Sequence, residues 1–308
     1  MKIVFLGTSA FAVPSLTELA RSQHPVAAVV TRPDKPAGRG LQQRPSPVKS
    51  AARELGLPLL QPERIRQPES VQALAELAPD LLVVAAYGQI LPPAVLQLPR
   101  LGSINLHASL LPKYRGAAPI RRALMAGESE TGVTIIWMSE GLDEGDIILQ
   151  RAVKVGPEEN YGSLHDRLAE EGARLLREAL AAIEEGSAAR LPQDQSQASL
   201  APPLKPEESR IAWSRSAEGI YNLIRALDPV PGAFAIWRGK RLKIRKAEKE
   251  MRREGVPGRI VEVNREGLLL ATGKGALRLT EVQPEGRRRM TGSEFARGYR
   301  PIAGEVLE

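Results

Sequence analysis

Short runs of almost uninterrupted apolar residues recur through the first half of the chain, KIVFLG at 2–7 and LLVVAAYG at 81–88 being the clearest. A strand that faces water on one side alternates apolar with polar residues. An unbroken run therefore belongs to a strand covered on both faces. Lys2–Leu6 and Leu81–Ala86 are predicted as such strands, with others at Val26–Thr31, Leu57–Gln61, Ser103–His107, Gly132–Met138 and Asp146–Val155. Between them Ala12–Ser22, Pro47–Leu55, Pro68–Leu77 and Pro119–Ala126 carry helical patterns. Strand–helix–strand alternation implies an α/β fold: a Rossmann-like, open, mostly parallel sheet with helices on both faces. A longer amphipathic stretch, Leu164–Glu184, closes this half and is expected to bury Leu164, Leu168, Leu175, Leu176, Leu180 and Ile183.

The pattern changes after position 188. Residues 189–207 are rich in Ser, Ala, Gln and Pro without a period, which is a linker composition. Three units are therefore expected: a domain over 1–188, a linker over 189–207 and a second domain over 208–308. In the last of these a helical patch, Ser216–Ala226, precedes short strands at Ala233–Trp237, Arg241–Ala247, Gly258–Asn264, Gly267–Ala271 and Ala276–Val282. Leu242 and Ile244 alternate with Lys243 and Arg245, and Leu277 and Leu279 with Arg278 and Thr280. One-sided alternation with Gly-bearing turns suggests a small antiparallel barrel of OB-like type, its outward positions basic.

Charge separates the two halves. Residues 205–308 hold 22 basic and 14 acidic side chains, a balance of +8, whereas residues 1–204 hold 21 and 22, a balance of −1. An excess confined to one part of a chain points to a polyanionic partner there, most simply a nucleic acid. The chain has no cysteine, which excludes disulfides, thiolate nucleophiles and Cys-ligated metal. Its three histidines, His24, His107 and His165, lack i,i+4 spacing, and no metal is expected. No apolar run approaches the roughly 20 residues a spanning helix needs, and the N-terminus reads as strand and turn. A cytoplasmic monomer with no membrane partner is expected.

Several common sites are missing. The turn after the first strand, GTSAFAVPS, holds a single glycine, Gly7, where a dinucleotide site carries G-x-G-x-x-G. Neither G-x-x-x-x-G-K-[ST], H-E-x-x-H nor G-x-S-x-G occurs. Three other places can carry chemistry. On a strand over Ser103–His107, Asn105 and His107 share a face that opens on the ligand crevice of such sheets. An amide and an imidazole there can stabilise an oxyanion and handle a proton, or can be polar strand-end residues tied to backbone. The acidic turn Glu140–Asp146 can bring a carboxylate to His107 and fix its orientation, or can be a solvated turn. Finally, Thr31–Arg53 carries Arg32, Lys35, Arg39, Arg44, Lys49 and Arg53 against Asp34 alone. Its prolines and glycines are expected to prevent regular structure, and a long basic loop suits phosphate contact.

INLHASLLPKYRGAAPI (104–120), ETGVTIIWMSEGLDEGDII (130–148), TRPDKPAGRG (31–40) and VVAAYGQILP (83–92) resemble the folate-dependent formyltransferases, and over essentially the whole chain the methionyl-tRNA formyltransferases among them. That resemblance implies 10-formyltetrahydrofolate as formyl donor and the amine of initiator methionyl-tRNA as acceptor. It implies a catalytic trio of Asn105, His107 and Asp143. It implies folate contacts from Ser109, Leu110, Leu111 and Pro112 and a pterin wall containing Tyr87, Gly88, Ile90 and Leu91. Arg39 would match a loop residue placed near the end of the acceptor stem, and Arg32, Lys35, Arg44, Lys243 and Arg245 are taken as further tRNA contacts. A formyltransferase acting on a small amine (glycinamide ribonucleotide or an amino-sugar nucleotide), a formyl-folate hydrolase, and an RNA-binding protein with a degenerate catalytic half stay open at this point.

Overall fold

The computed structural model describes residues 1–37, 42–250 and 255–308, without the side chains of 35–37, 42 and 43. These residues divide into two compact units. The first holds Met1–Pro119, Glu130–Lys154 and His165–Pro202; the second holds Ile120–Ser129, Val155–Leu164 and Pro203–Glu308. The stretch expected as a linker is thus shared out, its residues up to Pro202 packing with the first unit.

The first unit is built on β1 (Ile3–Gly7), α1 (Val13–Arg21), β2 (Val26–Val30), β3 (Lys35–Ala37), β4 (Gln42–Arg44), α2 (Pro47–Glu54), β5 (Leu59–Leu60), α3 (Pro68–Glu76), β6 (Leu81–Ala85), α4 (Pro93–Leu96), β7 (Ser103–His107), β8 (Glu130–Trp137) and β9 (Ile147–Lys154). Seven strands form one sheet in the order β5-β2-β1-β6-β7-β8-β9. The first five run parallel, and β8 and β9 are antiparallel to their neighbours. Strands β1 and β6 are buried at every position, as their unbroken apolar runs require. Val4, Leu6, Val30, Leu82 and Val84 pack in one cluster with Ile65, Leu74, Tyr87, Leu91 and Val95. The long helix α6 (Tyr161–Glu184) contributes its residues from His165 onward to this unit. Gly172 lies against Leu106, where an added Cβ would stand 2.7 Å from Cδ2, so any side chain there would have to displace Leu106 between the helix and β7.

The basic stretch departs from expectation. Prolines were expected to leave it irregular, yet β3 pairs antiparallel with β4, Lys35 opposite Arg44. In a two-stranded ribbon each strand is an edge, so the N–H that Pro36 lacks need not enter a ladder. The root of this segment is tied down. Lys49 Nζ donates to Asp34 at 2.7 Å, and Gln61 Nε2 donates to Asp34 at 3.1 Å and to the Arg32 carbonyl at 3.0 Å.

The second unit contains α5 (Pro119–Ala126) from Ile120 onward, α7 (Ala217–Leu227), β10 (Ala233–Trp237), β11 (Lys240–Glu250), β12 (Ile260–Asn264), β13 (Gly267–Ala271), β14 (Ala276–Pro284), β15 (Met290–Thr291) and α8 (Gly292–Tyr299). Its sheet is antiparallel in the order β10-β11-β14-β13-β12, with β15 beside β14. The C-terminal residues join the two edges. Ile260 N–H donates to Glu305 O and Leu307 N–H to Gly258 O, each at 2.8 Å, while Ile236 and Glu308 exchange backbone hydrogen bonds. The sheet is thereby closed into a small barrel around Leu242, Ile244, Leu268, Leu270, Leu277 and Leu279.

Candidate active site

β7 ends at His107, and alternation puts Asn105 and His107 on the face opposite Leu106. The chain leaves β8 at Trp137 and folds back through the acidic turn before β9 begins at Ile147. Gly145 makes that return possible: a Cβ there would stand 1.7 Å from the Trp137 carbonyl oxygen. The turn carries Asp143 to the residues of β7. Asn105 Nδ2 donates to Asp143 Oδ1 at 3.2 Å, and His107 Nδ1 lies 3.4 Å from Asp143 Oδ2. His107 is 5% exposed. The structure therefore brings an amide, an imidazole and a carboxylate from positions 38 residues apart into direct reach.

Two further residues complete the cluster. His107 Nε2 faces the Tyr114 carbonyl at 2.9 Å; a carbonyl only accepts, so Nε2 carries a proton and Nδ1 is the edge turned to Asp143. Gly116 N–H donates to Asp143 Oδ2 at 2.9 Å. Backbone strain concentrates here: Tyr114, Gly116 and Asp143 have φ of 63°, 117° and 51°, all in the left-handed half of the map. Neither Tyr114 nor Gly116 was singled out from the sequence. The sequence marks only a glycine three residues after Lys113 within 104–120, and it names no partner for it.

The other predicted residues fall into three groups. In the Ser109–Pro112 turn, Ser109 is fully buried with Oγ donating to the Lys113 carbonyl, and Leu111 is buried. Thr134 Oγ1 donates to Ser109 O, and Gln150 Nε2 donates to Leu111 O at 2.9 Å. Ser109 and Leu111 thus shape the turn, while Leu110 and Pro112 are half-buried. After β6, Tyr87 and Leu91 are buried, Gly88 is exposed, and Ile90 is 86% exposed. Burial pushes the Tyr87 hydroxyl up to about 12, against a smaller opposing effect of Arg32. This segment lies next to the β7 site, because Ala85 pairs with Leu106.

The predicted tRNA contacts scatter. The Arg32 side chain lies over Gly88, within 3.4 Å of where a Cβ would be, and so belongs beside the β6 turn. Arg44 is exposed; Arg39 and the side chain of Lys35 lie outside the described residues. Lys243 is half-buried, its Nζ donating to the Pro231 carbonyl at 2.7 Å. Arg245 was expected to point outward but is 9% exposed, with hydrogen bonds to Pro229 O and Gln283. The physical reason is the turn after α7: Arg245 Nη1 donates to Pro229 O and, with Lys243, lies against Gly232, so residues 228–232 cover the outer face of β11 at this point. Among the described residues no group of three or more His, Asp or Glu could hold a metal ion, and no helix is long and apolar enough to cross a membrane.

Residues 1–180 match the family model described as formyl transferase, and residues 203–300 match the one for the formyl transferase C-terminal domain. The chain belongs to the formyl transferase family. It is 51% identical over its whole length to a methionyl-tRNA formyltransferase of Moorella thermoacetica, covering 99% of that protein. To the methionyl-tRNA formyltransferase of Syntrophus aciditrophicus it is 49% identical, again over the whole chain and 99% of the relative. HypX of Aquifex aeolicus in complex with tetrahydrofolic acid shares the fold at a TM-score of 0.66 and 21% identity, over 99% of this chain and 48% of that one.

Proposed function

We propose that this chain transfers the formyl group of 10-formyltetrahydrofolate to the amino group of methionyl-tRNA. One observation supports the reading above others: Asn105, His107 and Asp143 converge at the end of β7 in a chain matched over its full length by relatives of that name. The residues after β6 and in the Ser109–Pro112 turn suit a flat heteroaromatic ligand. Ile90 exposes a large apolar side chain, and Gly88 leaves backbone accessible beside it. Tyr87, Gly88, Ile90, Leu91, Leu110 and Pro112 would hold the folate, with Ser109 and Leu111 setting the shape of the turn.

The donor supplies a carbonyl carbon whose oxygen gains negative charge when an amine attacks. An amide has two N–H groups, and Asn105 spends one on Asp143, so the other can point to that oxygen. With Nε2 donating to the Tyr114 carbonyl, His107 offers an Nδ1–H only as the doubly protonated ring; in that form Nδ1, 3.4 Å from Asp143, can share its proton between that carboxylate and the same oxygen. Asp143 holds Asn105 and the protonated His107 ring and accepts the amine proton directly or through water; the tetrahedral oxyanion then collapses, breaking the bond between the formyl carbon and the folate nitrogen, which takes up a proton as tetrahydrofolate leaves. Arg32, Lys35, Arg39, Arg44 and the solvated basic side chains of the second unit would carry the tRNA. The test is Asp143→Asn and His107→Ala under single-turnover conditions. A fall in formyl transfer of about a hundredfold or more, with folate binding kept, is expected; near-full activity in either variant contradicts the assignment.

A further inference from the structure

Gln193 lies in the stretch that composition marks as linker, yet it is 7% exposed and its amide is fully engaged. Nε2 donates to the carbonyls of Asp143 at 2.9 Å and Gly145 at 2.7 Å. Oε1 accepts from Arg115 Nε at 3.1 Å and Nη2 at 2.7 Å. Arg115 is itself 6% exposed; its Nη1 donates to Gln195 at 2.9 Å and stands 3.9 Å from Glu144. Its backbone pairs with the same late segment, N–H to Ser199 O at 2.8 Å and carbonyl from Ala201 N–H at 2.6 Å. Arg115 sits between the residue whose carbonyl holds His107 and the residue whose N–H holds Asp143.

We propose that Gln193, held by Arg115, is a positioning residue for Asp143. Asp143 has φ of 51°, a left-handed conformation that costs a non-glycine residue free energy and that the surrounding contacts must offset. The two carbonyls flanking Glu144 are fixed by one rigid amide, and the amide is fixed by a buried guanidinium. The result is a carboxylate whose position is set relative to His107 by a segment some 50 residues later in the chain. On this basis residues 191–201 are part of the site. The inference rests on the formyl-transfer reading for its kinetic consequence, but not for the geometry.

Two variants separate positioning from simple charge burial. Gln193→Ala removes every contact. Gln193→Glu keeps an acceptor for Arg115 and supplies opposite charge, but it has no N–H to offer the Asp143 and Gly145 carbonyls. Both are expected to lower kcat by about a hundredfold, the order a small misplacement costs, with KM for folate and tRNA unchanged. The chain has three histidines, so the His107 ring resonances can be assigned by comparison with His107→Gln; they should shift in both variants. Wild-type kcat in Gln193→Glu, or unshifted His107 resonances in either variant, would overturn the proposal. If Gln193→Ala fails to fold, Gln193→Glu decides. Should the wild type itself fail to formylate methionyl-tRNA, the functional reading falls, and the His107 resonances still test the positioning on their own.

Discussion

At Gly116 the backbone takes φ of 117°, and a Cβ would meet the Ala201 carbonyl oxygen at 3.0 Å. Both facts argue against any side chain there, while the Gly116 N–H must reach Asp143. Gly116→Ala should therefore cost about 1–3 kcal/mol of stability, and it should lower formyl transfer by more than the stability loss explains. Unfolding midpoints and single-turnover rates on the same sample check this; wild-type values for both would contradict it. How much of the site could be read in advance follows from distance along the chain. Asn105 and His107 share a face because a strand alternates, which two residues suffice to reveal. The pairing with Asp143 needed the turn after β8 to fold back, and the resemblance supplied what alternation could not. Gln193 carried no signal, since its partners are backbone carbonyls of the Asp143 turn and an arginine from another loop. Arg245 misled because the turn after α7, through Pro229 and Gly232, covers the outer face of β11 there, which no pattern within β11 announces.

The elements themselves were mostly legible. Ser103–His107, Pro119–Ala126, Ala233–Trp237 and Gly267–Ala271 occur with the expected bounds. The misses share a cause. α4 has four residues, β3 and β4 three each, too short for periodicity to register. α8 is longer, eight residues opening on a Thr291–Glu294 capping box, but its apolar face rests on Phe295, Ala296 and Tyr299 alone within a basic, Gly-containing run, again too short for a period to register. Elements also cross the expected boundaries. Arg122, on α5 (Pro119–Ala126), donates through Nη2 to Glu208 at 3.0 Å, within the second unit. The Arg122 guanidinium, helped by the Lys205 backbone N–H, holds the Glu208 carboxyl down at about 2, against an ordinary value of 4.5. A carboxyl depressed on folding stabilises the chain above its ordinary value, and that contribution is lost as pH falls through the folded one. Glu208→Gln should accordingly flatten the loss of stability between about pH 4.5 and pH 2, modestly because the pair is partly solvated. Urea unfolding at several pH values measures it, and an unchanged acid limb in Glu208→Gln would contradict it.

Across the whole molecule, charge and closure divide the work. The excess of basic side chains in residues 205–308 is not all available to a partner, because some of it is structural. Arg278 is buried and pairs with Glu250, Glu262 and Glu266, and Arg245 is spent on its own barrel. Arg287 and Arg288 are exposed. Binding of methionyl-tRNA should weaken steeply with salt, and Arg287→Ala and Arg288→Ala should each reduce the log–log salt slope by about 1 if the side chain meets a phosphate. Arg245→Ala should instead lower the unfolding midpoint, since it strips partners from Gln283 and Asp228. Equal salt slopes in the wild type and both exposed variants would remove those two residues from the tRNA surface. The most direct measurement is single-turnover formation of formylmethionyl-tRNA from 10-formyltetrahydrofolate, wild type beside Asp143→Asn. Tetrahydrofolate release by the wild type only when charged initiator tRNA is present, and its near-loss in Asp143→Asn, is the predicted result. Release without the tRNA, or an Asp143→Asn rate equal to wild type, would contradict it.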